Sequence, residues 1–236
     1  MQQEKSGKRI PAFLISLGIM IVLPLLTFLI GGVSLTFEHP VLTQLSKTIF
    51  KNNIKIEFLA TDLLIKENIQ NLLNNIKEKN FSIDIIVNSA GIFMIKSIQQ
   101  STIDDYEKCM NLNVKLPFIL SKEFSRNMSK KKWGRIVMIG SSSSYSGFEN
   151  GSIYCTTKHS ILGLSRALNA ELKKKNIRVI SVSPSSTQTN MGKISTDQDF
   201  NTFLNPKEVA KYIIHVLSFD NEMIIDESRL NRIIMK

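Results

Sequence analysis

Residues 134–158 read GRIVMIGSSSSYSGFENGSIYCTTK, and the fold turns on this stretch. Gly134 to Ile139 is a short apolar run stopped by Gly140 and the serines Ser141 to Ser144, as expected of a strand buried in a parallel sheet. A helix is expected from about Tyr154 to Lys175. It sets Tyr154 and Lys158 one turn apart on one face. With four tyrosines and 23 lysines in the chain, roughly 0.4 such pairs arise by chance, so the spacing alone is weak. Position adds the weight. Ser141 falls where the strand ends, and a parallel sheet presents its functional groups at the carboxyl ends of its strands.

The same rhythm continues on both sides. Upstream, Ile54 to Leu59 is strand-like, Lys66 to Lys79 has helical spacing, and Ile83 to Val87 is an apolar run followed by Asn88-Ser89-Ala90-Gly91. A long helix is expected from about Ile103 to Met128, carrying Asn113. Downstream come a strand at Arg178 to Ser183 and a helix opened by Asn205-Pro206 that ends near Leu217. Alternating strands and helices of this kind predict an α/β fold, a doubly wound parallel sheet with helices on both faces.

The composition suits that fold. The chain has 236 residues, 43% hydrophobic and 21% charged, enough apolar material for a core and too much for a disordered chain. Cys109 and Cys155 form no CxxC pair, and His39, His159 and His215 lack ligand spacing, so a disulfide scaffold and a metal site are both excluded as readings. The net charge of +10 comes mainly from lysine. Its densest runs, Lys130 to Lys132 and Lys173 to Lys175, fall where helices should end, and cations suit the negative end of a helix dipole. Neither run is interleaved with aromatics or several arginines, so no nucleic-acid partner is expected.

Asn88-x-Ala90-Gly91, Asn113, Ser141 and Tyr154-x-x-x-Lys158, in this order and at this spacing, resemble the short-chain dehydrogenase/reductase family. The likeness runs from about Val33 to Leu217 and includes Pro184 after a strand and the Thr189-Asn190-Met191 segment. It implies a single Rossmann-type domain and NAD(P)(H)-dependent interconversion of an alcohol and a carbonyl. By the same resemblance, Tyr154 is the general acid/base, and Lys158 lowers its pKa and holds the nicotinamide ribose. Ser141 donates to the carbonyl oxygen, and Asn113 anchors a water leading from Lys158 to solvent. Asp62 and Leu63 would meet the adenine, with Asn88, Ala90, Gly91, Pro184 and Thr189 along the rest of the cofactor. NAD or NADP is implied without preference, although Glu38 could accept from a ribose 2′-hydroxyl. A homodimer or homotetramer is expected through the helices at about 104–128 and 154–175. Phe93, Tyr145, Phe148, Met191 and Phe200 are candidates to line the site of a small alcohol or carbonyl substrate. The ending Met223 to Glu227 departs from the Gly-rich ending of the 3-oxoacyl-carrier-protein reductase branch.

The pattern breaks at the start. From Ile10 to Phe37 there is no charged residue, and Lys5, Lys8 and Arg9 precede the run. Residues 10–35 therefore read as a membrane span with a cytoplasmic N-terminus, or as a buried strand and helix. The family's Thr-Gly-x-x-x-Gly-x-Gly loop, which lets backbone approach the pyrophosphate, is absent. Residues 1–37 are thus an aberrant apolar segment in place of the first βα unit, and 38–236 are the reductase domain. Because that first strand is central in the family, Ala12 to Ser16 is expected to keep its place, with Ile19 to Ile30 as an apolar helix limited by Pro24. Out-of-frame translation, a decayed silent relative and a true membrane segment all account for the run. The domain is expected in the cytoplasm, and at a membrane if residues 10–35 are a genuine anchor.

Overall fold

The computed structural model describes residues 18–22 and 61–233. Five strands form one sheet in the order β1-β2-β3-β4-β5, all neighbours parallel: β1 Gly18–Val22, β2 Ile83–Asn88, β3 Gly134–Ile139, β4 Ile177–Pro184 and β5 Glu227–Leu230. The helices are α1 Lys66–Glu78, α2 Ile103–Met110, α3 Leu116–Lys131, α4 Ser152–Leu172 and α5 Pro206–Leu217. Side chains alternate across the sheet. Ile86, Ile136, Met138, Ile177 and Val179 pack with α1, α3 and α4, whereas Ile85, Val87, Val137, Ile180 and Val182 pack with α5. Helices therefore cover both faces, and the apolar runs of β2 to β4 are apolar because each is buried twice.

The first strand departs from expectation. It lies at Gly18–Val22, not Ala12 to Ser16, and so occupies positions 19–22 where a helix was expected to begin. An uncharged run offers no punctuation to fix a register, and any five of its residues suit a buried strand. Its backbone bonds into the sheet beside β2, so these residues are not part of a membrane helix. Among the described residues no helix is long and apolar enough to cross a membrane. The remainder of the 10–35 run, and the strand expected at Ile54 to Leu59, lie outside the described residues.

Two other elements also differ. The long helix at 103–128 is three pieces: α2, a π turn at Asn111–Lys115, and α3 with Pro117 in its first turn. Thr102 and Asp105 cap α2 reciprocally. β5, with the sequence ESRL, follows the segment Met223 to Glu227, where no strand was expected.

Candidate active site

Register aligns the strand ends. Val22 pairs with Asn88, Asn88 with Met138, and Met138 with Ser181, so the carboxyl ends of β1 to β4 align along one edge. Ser141 begins a 3-10 turn directly after β3. Its Oγ accepts from the Ser143 N–H at 3.1 Å, while its own N–H donates to Ser144 Oγ at 3.2 Å. The backbone thereby fixes the serine with its hydroxyl hydrogen left to donate. Gly140 is needed here, since a Cβ would lie 2.3 Å from Ser183 Oγ.

Tyr154 and Lys158 project from the first turns of α4, and both are buried. Burial pushes the Tyr154 phenol up to about 12, opposed by its interaction with the Ser141 hydroxyl. Burial lowers the Lys158 ammonium to about 8. Lys158 Nζ donates to the Ile139 carbonyl at 2.9 Å and stands 5.6 Å from the centroid of the Tyr154 ring. In this arrangement the ammonium lies over the ring, and desolvation dominates the shift of the phenol.

Asn113 sits in the π turn and is buried. Its Oδ1 accepts from the Ile92 N–H at 2.7 Å, and its Nδ2 donates to the Ile92 carbonyl at 2.9 Å and to Thr157 Oγ1 at 3.0 Å. Thr157 in turn donates to the Tyr154 carbonyl at 2.8 Å. Both amide hydrogens are engaged within the protein, so this side chain clamps the loop after β2 to α4. Sequence reasoning missed Thr157; its only signal was a hydroxyl inside the Tyr-x-x-x-Lys turn.

The remaining residues divide by place. Asn88 donates weakly to the Val137 carbonyl, and its buried Oδ1 has no partner. Gly91 lies against Asn113, where a Cβ would stand 3.2 Å from Oδ1, and Ala90 is buried beside it in the chain. Pro184 ends β4. Thr189 Oγ1 accepts from the Gly192 N–H at 3.1 Å in the loop that follows. Asp62 accepts from the Leu64 N–H at 2.9 Å ahead of α1, and the Leu63 side chain belongs to the core. Of the expected lining residues, Phe93 meets the Tyr154 ring edge to face at 4.7 Å, and Phe148 lies 6.1 Å from Phe93. Tyr145 donates to Glu227 at 3.2 Å, and Phe200 packs on Phe203. Met191 is half-buried. No group of acidic, cysteine or histidine side chains among the described residues could hold a metal.

Comparison with known proteins agrees with this architecture. Residues 33–199 match the model of the short chain dehydrogenase family. The chain belongs to that family, a family of oxidoreductases. It is 31% identical over 171 residues to the 3-oxoacyl-[acyl-carrier-protein] reductase of Haemophilus influenzae, covering 69% of this chain and 71% of the relative. The corresponding reductase of Aquifex aeolicus is 29% identical over 177 residues, 71% of each chain. A 4-hydroxyisoleucine dehydrogenase solved with NADH and succinate superposes with a TM-score of 0.67 at 28% identity, covering 78% of this chain and 81% of that one.

Proposed function

We propose that the chain is an NAD- or NADP-dependent oxidoreductase that interconverts an alcohol and a carbonyl on a small molecule, with Tyr154 as general acid/base. The observation that carries this reading is the meeting of the Ser141 and Tyr154 hydroxyl groups beside a buried ammonium at the carboxyl edge of the sheet. When bound, the nicotinamide would supply or accept the hydride. The chain's share is the proton and the oxygen. Ser141, oriented by the Ser143 N–H, would donate to the carbonyl oxygen as charge grows there. Tyr154 would give its proton to the same oxygen. Burial holds the phenol protonated, so it enters the reaction as the proton donor, and a bound cofactor would have to ease its ionisation. Lys158, charged below about pH 8, has one N–H engaged with Ile139 and two more to offer a ribose hydroxyl or a forming phenolate.

At the nicotinamide end these residues fit a dinucleotide. Asn88 Oδ1 is buried without a partner, and Gly91 brings its backbone close against Asn113. Pro184 and Thr189 would continue the site, and Asp62 and Leu63 would lie at the adenine. The pyrophosphate end differs. The residues after β1 are Leu23-Pro24-Leu25-Leu26-Thr27-Phe28-Leu29-Ile30, with no glycine. That observation favours a second reading, a catalytically silent relative that keeps Ser141, Tyr154 and Lys158 without binding the cofactor.

Titration of the purified chain with NADH and NADPH, followed by nucleotide fluorescence, separates the two. Saturable binding supports the enzyme, and Tyr154→Phe should then bind equally while turnover with aldehydes and ketones falls by about 10²–10⁴. No saturable signal with either nucleotide supports the silent relative. Residues 38–236 are the proposed reductase domain, in the cytoplasm, with 1–37 as an altered first βα unit. Assembly as a homodimer or homotetramer through α2, α3 and α4 is readable by light scattering.

A further inference from the structure

We propose that the approach to Tyr154 is a subsite for an uncharged carbonyl compound bearing a ring, aromatic or alicyclic, and not for an oxoacid. The inference deepens the alcohol–carbonyl reading above, and it can be tested by binding without turnover. Three rings form a row. Phe93, from the loop after β2, stands at 84° to the Tyr154 ring with centroids 4.7 Å apart. Phe148, from the loop after β3, continues the row 6.1 Å further on, inclined by 39°. It is 40% exposed, so the row runs from solvent to the buried phenol.

The outer ring is fixed by the backbone. Phe148 lies against Gly151, where a Cβ would come within 2.5 Å of the ring, and the Gly151 N–H donates to the Phe148 carbonyl at 3.2 Å. A large aromatic side chain held rigid and partly in water presents a face that a ligand ring can cover, in offset or edge geometry. Such a ligand would carry its carbonyl towards the Ser141 and Tyr154 hydroxyls.

Charge excludes the alternative. Among the described residues the only cation over these rings is Lys158, which is buried and donates to Ile139. Lys96, the next lysine along the Phe93 loop, is engaged with Asp105 at 2.5 Å and holds that carboxyl down to about 2. Arg166, Arg229 and Arg232 are engaged with Glu227, the Tyr145 ring and the Phe203 ring. Against these described cations a substrate carboxylate would lose water without gaining a partner, which is strongly unfavourable.

Saturation-transfer NMR on the full chain, using acetophenone and levulinate as probes, tests the assignment with and without NADH. Acetophenone should receive saturation through its ring protons and levulinate should not. Phe148→Ala, at an exposed position, and Phe93→Leu, which keeps most of the volume, should each weaken acetophenone about tenfold. Levulinate binding as well as acetophenone, acetophenone binding that neither substitution changes, or no binding of either probe would each overturn the assignment. Acetophenone binding intact in a chain that ignores both NADH and NADPH would instead leave the subsite standing and remove the hydride-transfer reading.

Discussion

The two ends of β3 and β4 hold buried cations in opposite ways. At the amino end Arg135 and Arg178 pair in register on neighbouring strands. Arg135 is fully buried, bonded to Asp220 at 2.5 Å and to the Gly134 and Asn176 carbonyls, with the Trp133 ring 4.3 Å away. Arg178 donates to the carbonyls of Phe219, Asn221 and Met223. Together they clasp the turn that leads to β5. At the carboxyl end Lys158 has one carbonyl and a ring, with no carboxylate among its partners in the described residues. The first end is held by the chain itself, with only Arg135 Nε among its guanidinium nitrogens left buried without a partner. The second leaves an ammonium with hydrogens to spare, and the role proposed for Lys158 rests on that difference.

The sharpest way to break this comparison is to open the closed end. Asp220→Ala removes the carboxylate that Arg135 has among the described residues, and burial already lowers this guanidinium to about 10. Leaving that charge unpaired should cost about 3–4 kcal/mol, towards the low side for a buried pair because Asp220 is half exposed. Urea denaturation at neutral pH reads it. A loss below about 1 kcal/mol would show that the three carbonyls on Arg178, not the ion pair, hold the turn.

The open end should reveal itself through pH. The Lys158 pKa falls from the ordinary 10.5 to about 8 on folding, so between these values the unfolded chain binds more protons than the folded one. Stability from this group is therefore lowest below pH 8 and rises towards 10.5, by about 2–3 kcal/mol in total. Tyr154 acts oppositely, its pKa rising from 10 to about 12, so stability is lost as pH climbs through that window. A maximum near pH 10 is expected in the wild-type chain from these two groups. Lys158→Met should remove the rise and be the more stable protein at pH 7. An unchanged profile would mean that the ammonium is solvated in the folded chain.

The sequence shows why one end was legible and the other was not. Ser141, Tyr154 and Lys158 announce themselves because a strand end and one helical turn bring them together within eighteen residues. β2 to β4 were equally plain, each an apolar run between turn-formers. Arg135 and Arg178 were passed over, although a cation at the second position of two successive buried strands was a visible anomaly. β5 escaped because ESRL pairs on one side only and carries no apolar signature. β1 was expected from topology yet misplaced by six residues, since its uncharged surroundings give no register. The π turn left no periodic trace, and only Pro117 hinted that the long helix is broken.

The smallest expected effect concerns the link between Asn113 and Tyr154, where the open end borders a closed network. Thr157 is fully buried, accepts from Asn113 and donates to the Tyr154 carbonyl. Thr157→Val keeps the shape and removes the hydroxyl, so one Asn113 N–H loses its partner in the interior, at a cost of about 1–2 kcal/mol. Thr157→Ser restores the hydroxyl and should recover most of that stability. If the network only holds the helices together, both variants should leave the Tyr154 titration near pH 12 untouched when followed by ultraviolet difference absorbance. If it sets the phenol against Ser141, the valine variant alone should move that titration upward, because a displaced Tyr154 loses the one interaction that opposes its burial. The serine variant separates a hydrogen bond from a change in packing, and so decides whether Thr157 belongs to the closed framework or to the site.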